Sequence, residues 1–238
     1  MTAHAILNAQ QHATLRIRTE RSVALGDGVM SALAMPDEFR QVQAEYAILF
    51  RRDMERDAFS ALAMFGFENG ENLFLQDGRW DAKYRPLAID VQPFLIGRGV
   101  DEGAAGQVHI DTASPRIGGE EGVRLFDEAG RPTPFLDRMA EKLGALDQAF
   151  QRSAAFFTAL LRYDLLEPLT LQVKLEDGST NRLVGFHVID EARLRALDSA
   201  ALGALQADGH LLPIFMALAS LSNISTLVDR KNRALRGG

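Results

Sequence analysis

Apolar residues recur at three- and four-residue steps through Leu136, Met139, Leu143, Leu146, Phe150, Phe157 and Leu160, and this stripe constrains the fold more than any other feature. Side chains at those spacings share one face of an α-helix. Thr133 suits the N-cap, Pro134 the first helical position and Asp137 the positive end of the helix dipole. The spacing predicts a helix from Pro134 to Tyr163, with Ser153 as the one break in its stripe. At about 1.5 Å per residue it would span roughly 45 Å. A helix of that length crosses a whole domain as a core element, or makes a homodimer by pairing with a second copy of itself.

What flanks the helix reads as strands before it and mixed structure after it. Ala13–Thr19 alternates polar and apolar residues, and Met30–Met35, Tyr46–Phe50 and Phe59–Phe67 are short apolar runs. The charged stretch Asp53–Asp57 joins the last two as a hairpin, and Pro36-Asp37-Glu38 marks a turn. The segment Gly70–Arg98 holds the only tryptophan, Trp80, close to a turn at Asp77-Gly78. Leu73–Leu75 and Phe94–Ile96 read as strands and Leu87–Val91 as a helical turn, with Gly97 and Gly99 ending the second strand. Val100–Gly130 is rich in glycine and acid and reads as loops around a strand at Gln107–Asp111.

Beyond the helix, Leu169–Leu175 and Asn181–Ile189 flank Glu176-Asp177-Gly178-Ser179, a hairpin signal. Helices follow at Asp190–Leu197 and Ser199–Ala207, the second closed by Gly209. His210–Val228 is 19 residues without a formal charge, just long enough for a membrane span. Pro213, Asn223 and four serine or threonine residues argue instead for a buried helix, with no stable membrane span, and for Asp229–Arg236 as a solvated basic tail. Strands, a long helix, a hairpin and further helices predict an α+β fold with an antiparallel sheet. One domain over residues 1–238 accommodates this, with a subdivision into a strand-rich 1–130 and a helix–hairpin–helix 131–238.

Composition removes several functions. With 26 basic and 32 acidic residues the net charge is −6, which disfavours nucleic acid as a partner. The absence of cysteine excludes disulfides, thiolate metal sites and cysteine nucleophiles. No basic stretch followed by an apolar run opens the chain, so a cytoplasmic location is expected. The five glycines from Gly99 to Gly119 form neither a GxxxxGK[ST] loop nor a GxGxxG turn, and no GxSxG elbow is present.

Three sets of residues remain as candidates. His109 and Asp111, one face of a strand, with His187 further on, have the order of a two-histidine, one-carboxylate iron site, which would make the protein a non-haem iron oxygenase-like enzyme. Asp111 and Arg116, in DTASPR, form a charge pair, either functional or a loop-stabilising salt bridge. Trp80, Tyr84 and Arg85 form a ligand-stacking wall or a packed corner. In the packed reading Trp80 lies against Leu143, Leu146 and Phe150.

The chain resembles the SapC family of bacterial proteins, named from a surface-layer gene locus and distinct from the peptide-transporter permease of the same name. The resemblance is carried by ENLFLQDGRW at Glu71–Trp80, Tyr84, Pro86, Pro93-Phe94 and IDTASPR at Ile110–Arg116. It continues through LFDEAGRPTPFL at Leu125–Leu136, LLEPLTLQVKLEDG at Leu165–Gly178, GFHVIDEARLRAL at Gly185–Leu197 and the late LASLSNISTL. It implies no catalytic residues and leaves cofactors unknown. It implies an association with genes for TonB-dependent receptors, flavin-dependent halogenases and cupin-like oxygenases, hence with nutrient uptake or modification. The expected function is an accessory or binding protein acting on a protein or small-molecule partner. The family name adds the alternative of a surface-layer-associated structural protein.

Overall fold

A computed structural model of the protein describes residues 4–97 and 106–237. The strands are β1 (His4–Ile6), β2 (Arg16–Ile17), β3 (Ser31–Leu33), β4 (Ile48–Asp53), β5 (Ala58–Met64), β6 (Leu75–Gln76), β7 (Arg79–Trp80), β8 (Phe94–Gly97), β9 (Gln107–Asp111), β10 (Val123–Arg124), β11 (Leu166–Lys174) and β12 (Thr180–Ile189). The helices are α1 (Ala9–His12), α2 (Phe39–Val42), α3 (Leu87–Asp90), α4 (Pro134–Arg162), α5 (Glu191–Ala196), α6 (Ser199–Ala207), α7 (Leu211–Ser220) and α8 (Asn223–Gly237). The fold is α+β with antiparallel pairing, as the sequence predicts. Gly99 and the first six residues of the glycine-rich stretch expected over Val100–Gly130 lie outside the described residues.

Contacts divide the chain into two compact units, each made of three separate segments. The first takes Met1–Gly28, Leu75–Trp80 and Leu87–Gln148; the second takes Val29–Phe74, Asp81–Pro86 and Ala149–Gly238. The division expected at residue 130 is therefore not where the contacts separate. Strand pairing is the reason: the second unit's five-stranded sheet has the order β11-β12-β4-β5-β3, so strands from before and after α4 share one sheet.

In the first unit, β1, β9 and β8 form an antiparallel sheet, and β2 pairs with β10. The strand read over Ala13–Thr19 shrinks to Arg16–Ile17 because β10 offers only Val123 and Arg124 as ladder partners. Asp77 and Gly78 both adopt positive φ, 49° and 75°, and join β6 to β7 in a two-residue hairpin that pairs Leu75 with Trp80. Such a turn needs left-handed backbone at both central residues, which aspartate tolerates and glycine adopts freely. Ile17, Val91, Phe94, Ile110, Leu125 and Phe126 bury themselves against Leu136, Met139 and Leu143 of α4. Each such side chain contributes about 1.5–3 kcal/mol when fully removed from water.

In the second unit, the buried stripe of α4 runs through Ala149, Ser153, Phe156 and Leu160. Phe150, expected on the stripe, is 59% exposed, whereas Ser153 is buried and donates to its own Phe150 carbonyl at 2.6 Å. A hydroxyl satisfied by the preceding turn sits in an apolar face without an unmet polar group. Phe156 meets Phe39 edge to face at 5.9 Å, and Phe157 meets Phe50 at 6.3 Å.

The segment His210–Val228 is two helices, α7 and α8, rather than one buried helix. Leu211–Gly237 taken together is long and apolar enough to cross a membrane by length and composition, and only 22% of its most apolar window is buried. Two of its polar residues are bonded to other elements of the second unit. Ser220 Oγ accepts from Ile48 N at 2.9 Å, and Asn223 Nδ2 donates to the carbonyls of Gln43 and Tyr46 at 2.7 and 3.2 Å. Asp229–Arg236 is helical and only partly solvated: Asp229 and residues 233–236 are exposed, whereas Arg230 and Lys231 are mostly buried in ion pairs with Asp81 and Glu71. The apolar stem of each cation lies along the protein while its head meets a carboxylate.

Candidate functional site

The residues proposed as a ligand wall divide between the units. Trp80 ends β7 in the first unit and is only 8% exposed. It is buried, as packing requires, but stands outside the cluster around Leu143 and Leu146. Tyr84 and Arg85 belong to the second unit, in the segment Asp81–Pro86. Tyr84 is fixed there: its hydroxyl donates to Glu38 Oε2 at 2.6 Å, and its carbonyl accepts from Tyr46 Oη at 2.5 Å. The Glu45 carboxylate also accepts from the backbone N–H groups of Lys83 and Tyr84. These bonds hold the aromatic ring as part of a strapped turn.

Arg116 does not pair with Asp111. The Asp111 carboxylate accepts from Ala113 N at 3.0 Å, closing its own turn. Arg116, 1% exposed, instead donates to Asp27 Oδ1 at 2.6 Å and to the Glu20 carbonyl at 3.0 Å. Asp27 is fully buried and also receives Arg21 Nη1 at 3.2 Å and Ser22 N at 2.9 Å. Arg21 reaches Asp90 at 3.5 Å, and Lys142 of α4 meets the other Asp90 oxygen at 2.5 Å. A buried carboxylate must find this many donors to offset its lost hydration. Sequence spacing could not disclose the network, since Arg116 and Asp27 are 89 residues apart.

The three metal candidates are also spread over both units. His109 and Asp111 lie on β9 in the first, His187 on β12 in the second. Among the described residues, no group of three or more His, Asp or Glu side chains is arranged to hold a metal ion. The His109 ring lies over Gly97 on the neighbouring strand, where a Cβ would come within 2.1 Å of its Nε2. His187 stacks edge to face on Phe59 at 5.0 Å, with its Nδ1 buried and without a hydrogen-bond partner. Burial first, and the Arg52 charge second, push its pKa below the usual histidine value.

The second unit contains a cavity of about 350 Å³ that sequence reasoning missed. Phe39 and Arg40 of α2, Arg152 and Phe156 of α4, and His210, Leu212 and Met216 at the start of α7 line it, with Asp37 and Asp208 also on its wall. This size lies at the lower end of the range for small-molecule sites. Asp37 and Arg152 neutralise each other, Arg152 Nε donating to Asp37 Oδ2 at 3.0 Å. The His210 ring stands edge to face on Phe156 at 5.8 Å. Aromatic and aliphatic surface beside a few polar groups is the usual chemistry of a binding pocket. Its parts come from residues 36–41, 152–156 and 208–216, and none carries a local motif.

A second concavity of similar size lies beside β3, β5 and α4, lined by Leu33, Phe59, Phe150, Phe157 and Leu161. It is mainly apolar, and Phe150 and Leu161 are more than half exposed.

These features define an α+β protein with a built cavity of small-molecule size. The chain belongs to the SapC family, whose profile matches residues 7–227. Comparison with curated proteins and with solved structures returns no match.

Proposed function

We propose that this SapC-family protein is an accessory or binding protein, acting in the cytoplasm beside systems for nutrient uptake or modification. The cavity between α2, α4 and α7 carries the reading: it joins an aromatic floor to polar groups in the space a small ligand needs. Native mass spectrometry of protein purified gently from its own cells tests it. Retention of a small molecule or co-purification of a protein partner is expected. Recovery of the chain always alone and ligand-free would count against it.

A homodimer through the long helix is the second part of the reading, supported by the exposed Phe150 and Leu161 of α4. Large exposed apolar side chains grouped on one helix face mark an interaction surface. Sedimentation velocity is expected to show a dimer that Phe150→Glu converts to monomer. A wild type that stays monomeric at high concentration removes this part.

A further inference from the structure

The cavity between α2, α4 and α7 also holds information about the charge of what it takes. Two arginines line it, and their situations differ. Arg152 is occupied by Asp37 through a two-pronged ion pair. Arg40 is exposed, and its guanidinium has no ion pair or hydrogen bond among the described residues. The ring nitrogens of His210 likewise make no hydrogen bond to the described residues. One uncommitted cation and an available imidazole therefore face an apolar surface made by Phe39, Phe156, Leu212 and Met216.

We infer that this cavity takes a small organic monocarboxylate with an apolar body, and that Arg40 pairs with the carboxylate. A planar guanidinium matches a carboxylate in a two-pronged hydrogen-bonded pair. His210 supplies a further hydrogen bond at the same end, and the aromatic floor receives the hydrocarbon. Asp208 and Asp37 on the wall disfavour a second negative charge, so a dicarboxylate or a phosphate dianion is a poorer fit. About 350 Å³ holds a single ring or a short branched chain with its acid group. The inference rests on the reading of this cavity as the binding site, and adds the class of ligand.

Calorimetric titration of the full chain with 3-phenylpropionate and with its primary amide separates the two ideas. The acid is expected to bind at least tenfold tighter than the amide. Arg40→Gln, a change at an exposed side chain, is expected to remove that advantage. Equal affinity for acid and amide, or an acid affinity unchanged in Arg40→Gln, overturns the carboxylate inference while the binding reading stands. If neither 3-phenylpropionate nor the branched 4-methylpentanoate binds, both ideas fall. Binding that survives His210→Trp, a substitution that fills the space beside Phe156, would place the ligand elsewhere and also overturn the inference.

Discussion

Asp27 ties separate parts of the first unit together, because one buried carboxylate receives two arginines and a backbone N–H. Asp27→Ala leaves two buried guanidinium groups without it and is expected to cost about 3–5 kcal/mol in a denaturation experiment. Arg116→Lys should not be neutral, since an ammonium cannot fork between Asp27 and the Glu20 carbonyl as a guanidinium does. Trp80→Ala is expected to cost about 3–5 kcal/mol, the range for emptying a buried aromatic site. A loss below about 1 kcal/mol would mean the indole contributes little packing. His187 gives a pH signature of definite sign. Its pKa lies below 6.5 in the folded protein, so the unfolded chain takes up the proton first as pH falls. Stability from this residue is intact above about pH 6.5 and declines below it, and His187→Gln should flatten that part of the profile. An unchanged acid limb in the variant would show that another group titrates.

Among the elements, α8 departs furthest from its sequence reading. Lys231 is opposed by burial, the largest effect on it, yet its hydrogen bond and attraction to Glu71, with Glu68 at 3.7 Å, raise its pKa overall. A raised pKa means stability that is complete below about pH 10.5 and lost as pH climbs through the folded value. Lys231→Met is expected to remove this alkaline loss, measured by thermal unfolding between neutral pH and about pH 11. Arg230 anchors the same turn, lying 4.2 Å from the centre of the Phe74 ring while it pairs with Asp81. A charge run reads as solvent-exposed in sequence because the acids that bury it, Glu71 and Asp81, lie some 150 residues earlier. The elements themselves were more legible. The Asp53–Asp57 hairpin, the Asp77-Gly78 turn and the β11–β12 hairpin each depend on neighbouring residues alone, and each is present.

For the molecule as a whole, the interleaving of the two units makes a specific demand on folding. β4 needs β12 on one side and β5 on the other, so the second unit's sheet cannot close until residues after α4 are available. Pairing across such a separation is slow, because loop-closure entropy comes before the contacts that offset it. Separate expression of residues 1–130 and 131–238 is therefore expected to give two fragments without cooperative unfolding. A cooperative thermal transition in either fragment alone would contradict this. The candidate site belongs to the same scale, since its lining comes from three parts of the chain in one unit.

Sequence by itself determined what short-range physics controls. Turn residues with left-handed backbone placed the hairpins, caps and three- to four-residue periodicity placed α4, and motifs spread along the chain carried the family. Tertiary structure alone decided where charges went. Arg116 turned from the nearby Asp111 to Asp27, and the Tyr84 hydroxyl found Glu38, 46 residues earlier. A salt bridge or a cavity depends on which distant residues the fold makes neighbours, and burial then multiplies the strength of the contact that is made. Residue spacing contains neither quantity, which is why Phe150 and Ser153 exchange their expected places, and why only the fold brings Arg40 and His210 to one cavity with Phe156.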